Sequence, residues 1–381
     1  MARVLYLYSQ VLRAGSGHAR QTFQMLALMR EAGLTVDVLT LPGGDPWPAG
    51  LAERIFRTAW VPHGRTLPCY GLGFRRIWAT LVMALGAMRL FLTRRYTAVH
   101  CSDRAIRVGG LLAWLFGCRF IFEWRTRSGY DLVNWSRKRS RRFCRRVSLV
   151  FSDVRLPLSQ LRETPFFGRI ACLPCLPAPS IQRLSPPAVR LEGARQLFRV
   201  VAFTFAGAQA EDLMPLCEAL PGLLRRNNLR LTVLGGLPPA GERLLPPGIL
   251  ASGRIDRRRR PIDPQTLMAA IAEADLIFFP ALNGALPPPE LLDCLAAGRA
   301  IMAVRCPAVE GLLSDDVALL VRGTGEAIAE GIAHAIESPL RCAELGAAGA
   351  DFIGRERNAS TAAATVRSCY AFALATQESP S

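Results

Sequence analysis

Residues 274–304 read ADLIFFPALNGALPPPELLDCLAAGRAIMAV. Within them Leu276–Phe279 is a short, wholly apolar run, the pattern of a strand buried on both faces. A loop rich in Gly and Pro follows. Prolines 287–289 suit loop and helix entry, because proline fixes φ and has no N–H to satisfy. A short helix then runs to Gly298, which suits a helix C-cap. Residues 300–304 form a second strand. This strand–loop–helix–strand unit belongs to a parallel α/β sheet. Its loop and helix N-terminus make a socket of free N–H groups that favours phosphate. Any α/β phosphate or sugar-nucleotide site fits that description, and a plain Gly-capped helix is the alternative.

The same alternation extends outward in both directions. Residues 3–8 read as a strand, 13–18 as a loop containing A-G-S-G-H, 19–32 as a helix ended by Gly33, and 36–40 as a strand. This is the opening of a doubly wound sheet. The G-x-G-x-x-G spacing of a dinucleotide fingerprint is absent. Gly15 and Gly17 permit close backbone approach to a ligand. His18 reads equally as a helix-start hydrogen bonder and as a substrate contact. Strands are expected at 98–101, 119–122 and 147–151, with helices at 75–94 and 108–117. The stretch 157–187 is rich in proline and reads as a linker. Beyond it, strands at 198–203, 229–234, 276–279 and 319–321 alternate with helices at 213–224, 266–274 and 326–337. The expected organisation is a first domain at 1–185, a second at 195–355, and a C-terminal helix and tail at 356–381, with one helix over 350–376.

Composition bounds the partners. The 381 residues suffice for two domains, and a hydrophobic content of 50% supports well-buried cores. The net charge of +17 predicts an anionic partner. Residues 137–146, RKRSRRFCRR, hold seven basic residues in ten. Such density attracts anionic lipid or polyphosphate. Nucleic acid is disfavoured, since Phe143 alone interleaves the run. The apolar runs 77–88 and 108–118 fall short of a membrane span, for which ~18–20 residues are needed. Both are bounded by arginines, so they read as core helices or as segments lying in a membrane interface. Eleven cysteines are scattered; Cys172 and Cys175 stand in C-L-P-C without a second pair or a His cluster. That usage indicates reduced cytosolic thiols rather than a metal site. The N-terminal MARVLYLYSQ reads as a strand without a signal-peptide cleavage site.

Several of these stretches resemble motifs of the retaining glycosyltransferases of family 4. ELLDCLAAGRAIMAV is similar to that family's donor-binding pattern, roughly LLE-x-LAAGxPVVA, and GLTVDVLTLP resembles its GxxVxVLT strand. FEWRTRSGYDL resembles a strand-end motif of the type E-x-R/H-D-x-W, and CPAVEGLL a G-x-P-E-L-I-like turn. The resemblance implies two Rossmann-like α/β domains facing each other across a cleft, the GT-B fold. It implies transfer of a hexose-like sugar, with retention, from a nucleotide-sugar held mainly by the second domain. Neither a cofactor nor a metal is implied, because helix N-termini and arginines stabilise the leaving diphosphate.

The residues carried over are Arg125 and His18 as catalytic candidates. For the donor they are Gly15, Gly17, Gly284, Ala285, Glu290, Asp293 and Glu310. Asp293 stands where the family's ribose-binding glutamate stands. Ala285 stands where its first glutamate stands, and Thr126 replaces an aspartate. After the strand at 198–203 the family has an Arg and a Lys that grip the diphosphate. Here the stretch is FAGAQAEDLMPL, so Arg254 and Arg258 are the nearest replacements. CLPAPS replaces the family's P-N-G-V-D-like linker end. A lipid-linked, glycan or small-molecule acceptor, polysaccharide biosynthesis, and a place on the cytoplasmic face of an anionic membrane complete the expectation. The departures motivate an alternative, a catalytically impaired GT-B protein that binds a sugar or a partner.

Overall fold

Arg3–Tyr8, Ala98–Ser102 and Arg119–Trp124 are buried almost throughout rather than at alternate positions, so the sheet they build is covered on both faces. The computed structural model describes residues 2–9, 12, 17–58, 74–102, 105–124, 146–152, 162–179, 181–185, 191–192, 195–203, 210–226, 228–235, 237, 239–245, 247–258, 264–281 and 288–375. The chain divides into two compact units. Unit 1 comprises 1–175 with 359–381, and unit 2 comprises 176–358.

Unit 1 runs β1 (Arg3–Tyr8), α1 (Gly17–Glu31), β2 (Thr35–Thr40), β3 (Arg54–Arg57), α2 (Phe74–Thr93), β4 (Ala98–Ser102), α3 (Ile106–Phe116), β5 (Arg119–Trp124), β6 (Val147–Ser152) and β7 (Ile170–Cys172). The seven described strands all pair in parallel, in the order β3-β2-β1-β4-β5-β6-β7. Side chains alternate between the two faces. Leu5, Leu7, Val99, Cys101, Phe120 and Phe122 join α2 and α3 in one apolar cluster. Tyr6 and His100 occupy the alternate positions, where both are fully buried. The edge strands β3 and β7 had no sequence signature: RIFR is half charged, and IAC lies inside the proline-rich stretch.

Unit 2 begins with a two-residue antiparallel pair, β8 (Leu191–Glu192) and β9 (Arg195–Gln196). Then follow β10 (Phe198–Phe203), a 3₁₀ turn (Ala210–Leu213), α4 (Met214–Arg226), β11 (Leu229–Leu234), α5 (Pro239–Leu244), α6 (Pro247–Ala251), β12 (Ile255–Arg258), α7 (Pro264–Glu273), β13 (Leu276–Phe279), α8 (Pro289–Ala296), β14 (Ile301–Val304), α9 (Pro307–Glu310), β15 (Leu319–Val321), α10 (Gly325–Glu337) and α11 (Pro339–Glu356). The six described strands of its main sheet all pair in parallel, in the order β12-β11-β10-β13-β14-β15. Each unit is therefore a Rossmann-like α/β layer structure, the fold class expected from the sequence.

The C-terminal segment differs from the expected single helix. It breaks at Arg357 and Asn358, and α12 (Ala359–Ala375) then packs on α1, β5 and β6 of unit 1. Tyr370 and Val366 are its buried residues nearest the middle of the helix. Among the described residues no helix is long and apolar enough to cross a membrane.

Candidate functional site

In a doubly wound sheet, ligands bind beyond the carboxyl ends of the strands where the strand order reverses. In unit 2 the chain builds from β10 outward to β12 and returns to β13 on the other side. The reversal point thus lies between β10 and β13. The stretch singled out from the sequence leaves β13 at that point. Gly284 and Ala285, in its loop, lie outside the described residues, as do 204–209 after β10.

The helix that follows is described in full. Pro288 is extended and Pro289 opens α8, as their fixed φ allows. Glu290 sits half-buried in the first turn. There it complements the positive end of the helix dipole and suits hydroxyl donors better than phosphate. At the other end Gly298 adopts φ 74°, its N–H donates to Leu295 O at 2.9 Å, and Arg299 N–H donates to Cys294 O at 3.3 Å. This is a Schellman stop, for which glycine is the residue without a steric cost.

Asp293 is buried, and its Oδ1 accepts the backbone N–H of Ala178 at 2.8 Å. Arg299, also buried, donates to Ser185 O at 2.7 Å, to Ile271 O at 3.0 Å and to Ala272 O at 2.9 Å. Leu184 N–H donates to Ala297 O at 3.0 Å. Three bonds thus strap the stretch 178–185 to α8 and its stop. The CLPAPS departure noted in the sequence lies where this strap begins.

The two arginine candidates separate. Arg254 precedes β12, and its guanidinium donates to Leu229 O at 3.0 Å and to Leu224 O at 2.5 Å. That is the amino edge of a parallel sheet, opposite the loop after β13. Arg258 ends β12 at the carboxyl edge, with Nε on Asp256 at 2.8 Å. Glu310, on α9 after β14, is exposed and stands 3.8 Å from Arg305, which also grips Asp315 at 2.9 Å. Arg258, Glu290, Arg305 and Glu310 therefore all lie toward the carboxyl edge of the unit 2 sheet, but Arg258 is on the edge strand, with β11, β10 and β13 between it and β14; Arg305 was not anticipated.

In unit 1 the order reverses between β1 and β4. The glycine loop leaves β1 there. Gly15 lies outside the described residues; Gly17 opens α1 and His18 falls in its first turn. Arg125 also lies outside the described residues, directly after β5. The end of β5 is held by a buried polar network. Tyr6 Oη donates to Glu123 at 2.8 Å, and His100 Nε2 stands 3.0 Å from the same oxygen, off the line of a good hydrogen bond. His100 Nδ1 meets Tyr370 Oη at 2.5 Å. Burial first, then the nearby Glu123 carboxylate, pushes the Tyr370 hydroxyl well above the usual tyrosine range, so it stays a proton donor. The only signal for this network in the sequence is polar side chains inside otherwise apolar strands.

No sequence family matches the chain, and no curated protein matches it in sequence. Solved structures do match in shape. Sucrose-phosphate synthase from Thermosynechococcus elongatus superposes with TM-score 0.67 at 14% identity, over 97% of this chain and 98% of that one. A glycosyltransferase from Rickettsia africae gives TM-score 0.66 at 12% identity, over 99% of each chain. HepE of Anabaena, in complex with UDP and glucose, gives TM-score 0.62 at 12% identity, over 97% and 100%. At such identities the likeness is one of fold, and the chain has the GT-B fold of these proteins, with two parallel-sheet α/β units.

Proposed function

We propose that the protein is a glycosyltransferase that moves a sugar from a nucleotide-sugar donor, held by unit 2, to an acceptor. One observation carries the reading. The stretch that resembles a donor-binding segment leaves the sheet of unit 2 at its reversal point, where α/β sheets bind nucleotides. The similar HepE structure holds UDP and glucose, which supports a nucleotide-sugar as donor. Arg258 and the loop around Gly284 and Ala285 meet the diphosphate in this reading. Glu290 and Glu310 accept donor hydroxyls, and Asp293 reaches the ribose from α8. Gly15, Gly17 and His18 approach the reacting centre, and Arg125 stabilises the leaving diphosphate.

The finer reading is of the family 4 type: a metal-independent, retaining hexosyltransferase of polysaccharide biosynthesis. Its acceptor is a glycan, a lipid-linked sugar or a small molecule, met at the cytoplasmic face of the cell membrane. Calorimetry and hydrolysis assays with a panel of UDP-, GDP- and ADP-sugars test it. Binding with slow release of the nucleoside diphosphate is expected, and no response to any donor overturns it.

A second reading, a catalytically impaired sugar-binding module, is favoured by the Asp293 carboxylate accepting the Ala178 N–H and by Arg254 bonding at the amino edge. It predicts donor binding without turnover in the presence of any acceptor.

A further inference from the structure

Apolar side chains on a helix turn inward when a core is there to receive them. On α2 the residues Ala79, Val82, Met83, Ala87, Leu90 and Phe91 do so. The opposite stripe of the same helix is equally apolar and turns outward. Ile77, Leu81, Leu85 and Leu92, spaced i, i+4, i+8 and i+15, share one side of the helix. Ile77 and Leu85 are each 62% exposed and Leu92 77%.

α3 repeats the arrangement beside it. Its Leu111, Trp114 and Leu115 are exposed, Trp114 at 60%. The two helices pack on a common core, with Phe91 stacked on Phe116 at 4.7 Å. Exposed leucines scattered singly need no explanation; an outward apolar stripe on two adjacent helices does.

Charge says what covers it. Neither helix contains an Asp or a Glu. Arg89 on α2 and Arg107 on α3 are exposed, Arg107 one turn before Leu111 on the same side. Arg95 follows α2 and is exposed. The guanidinium of exposed Arg146 lies over the Trp114 ring, 5.6 Å from its centroid. In sequence, Arg146 ends the basic run 137–146. Apolar side chains, an amphipathic indole and a set of arginines with no acid on either helix are complementary to anionic headgroups above acyl chains. A protein partner would have to supply an acidic rim around an apolar patch; an anionic bilayer presents both everywhere on its surface.

We propose that the outward faces of α2 and α3 dock unit 1 on an anionic bilayer. The apolar stripe enters the headgroup boundary, and Arg89, Arg95, Arg107 and Arg146 contact lipid phosphates. This rests on the membrane location proposed above, and it is independent of sugar transfer.

Flotation of the full chain with phosphatidylglycerol-containing vesicles tests it against vesicles of phosphatidylcholine alone. Binding to the anionic vesicles is expected, and each Arg→Gln change among Arg89, Arg95 and Arg107 weakens it roughly fivefold at low salt. L81S/L85S/W114S is expected to weaken it about tenfold or more, and to leave binding that high salt removes. These residues are exposed, so the variants keep the unfolding transition of the parent. As a second readout, brominated acyl chains quench tryptophan emission in the parent, and less in W78F/W114F. No flotation with anionic vesicles at low salt overturns the proposal, as does flotation unchanged in the triple variant. So does a dimer in sedimentation that L85E dissociates, with no vesicle binding. Nucleotide-sugar binding by the non-floating variants is expected to be unchanged, so failure here leaves the sugar-transfer reading standing.

Discussion

At the scale of the residue, Asp293 shows how a site reading and a structural reading meet in one carboxylate. Its position five residues before Gly298 was legible in the sequence; its bond to Ala178 was not. Asp293→Ala is expected to lower the stability of unit 2 by about 1–3 kcal/mol, since the half-buried Ala178 N–H loses its carboxylate acceptor. Urea unfolding measures this, and Asp293→Asn, which keeps an oxygen in place, should recover most of it. An alanine variant as stable as the parent would show that the strap to Ala178 contributes nothing. Tyr370→Phe makes a parallel case. It leaves His100 Nδ1 buried without its hydroxyl partner. The expected cost is about 1–2 kcal/mol, read as a lower unfolding midpoint for unit 1.

At the scale of the element, α12 and α11 carry the predictions. α12 is sequence-remote from the sheet it completes, and its Arg367 donates to Glu31 O at 3.1 Å at the end of α1. Truncation after Asn358 removes Tyr370 and Val366 from the core of unit 1 and should destabilise that unit alone. Limited proteolysis is expected to cleave unit 1 of the truncated chain early while a fragment of unit 2 persists; equal protection of both units would contradict this. α11 passes the stop of α8 at Gly346, where backbone lies against backbone. A Cβ on Gly346 would press on the carbonyl of Gly298, with the carbonyl carbon at 3.0 Å. Gly346→Ala is therefore expected to cost about 1–3 kcal/mol, because backbone cannot step aside as a side chain can. Thermal unfolding checks it. Gly298 itself was readable as a helix stop, because the stop is a local backbone requirement. Gly346 was not, because its requirement comes from a neighbour 48 residues away in sequence.

At the scale of the whole molecule, the buried thiol of Cys217 and the half-buried thiols of Cys118 and Cys342 link stability to alkaline pH. Burial, aided by Glu218, pushes Cys217 from 9.0 up to about 11; burial, aided by Asp275, does the same to Cys342; and burial alone takes Cys118 to about 12. The folded chain holds these protons more tightly than the unfolded one. Stability from them is therefore complete below pH ~9 and is lost as pH rises toward about 11. Urea midpoints should fall between pH 8 and 10.5, and more gently in C217A/C342A; a double variant with the parent's slope would show that other groups dominate. Read alone, the sequence determined the two α/β units, most central strands to within a residue or two, and the helix stops at Gly33 and Gly298. These are consequences of local chemistry: unbroken apolar runs demand burial on both faces, and a left-handed stop demands glycine. Only the tertiary structure decided that Asp293 meets Ala178, that Arg254 bonds at the amino edge of its sheet, that α12 returns to unit 1, and that one apolar stripe of α2 stays outside the core. Periodicity reports that a side chain is apolar or a helix two-faced, but a buried polar group's partner, or what covers an apolar face, is set by chain distant in sequence and close only in space.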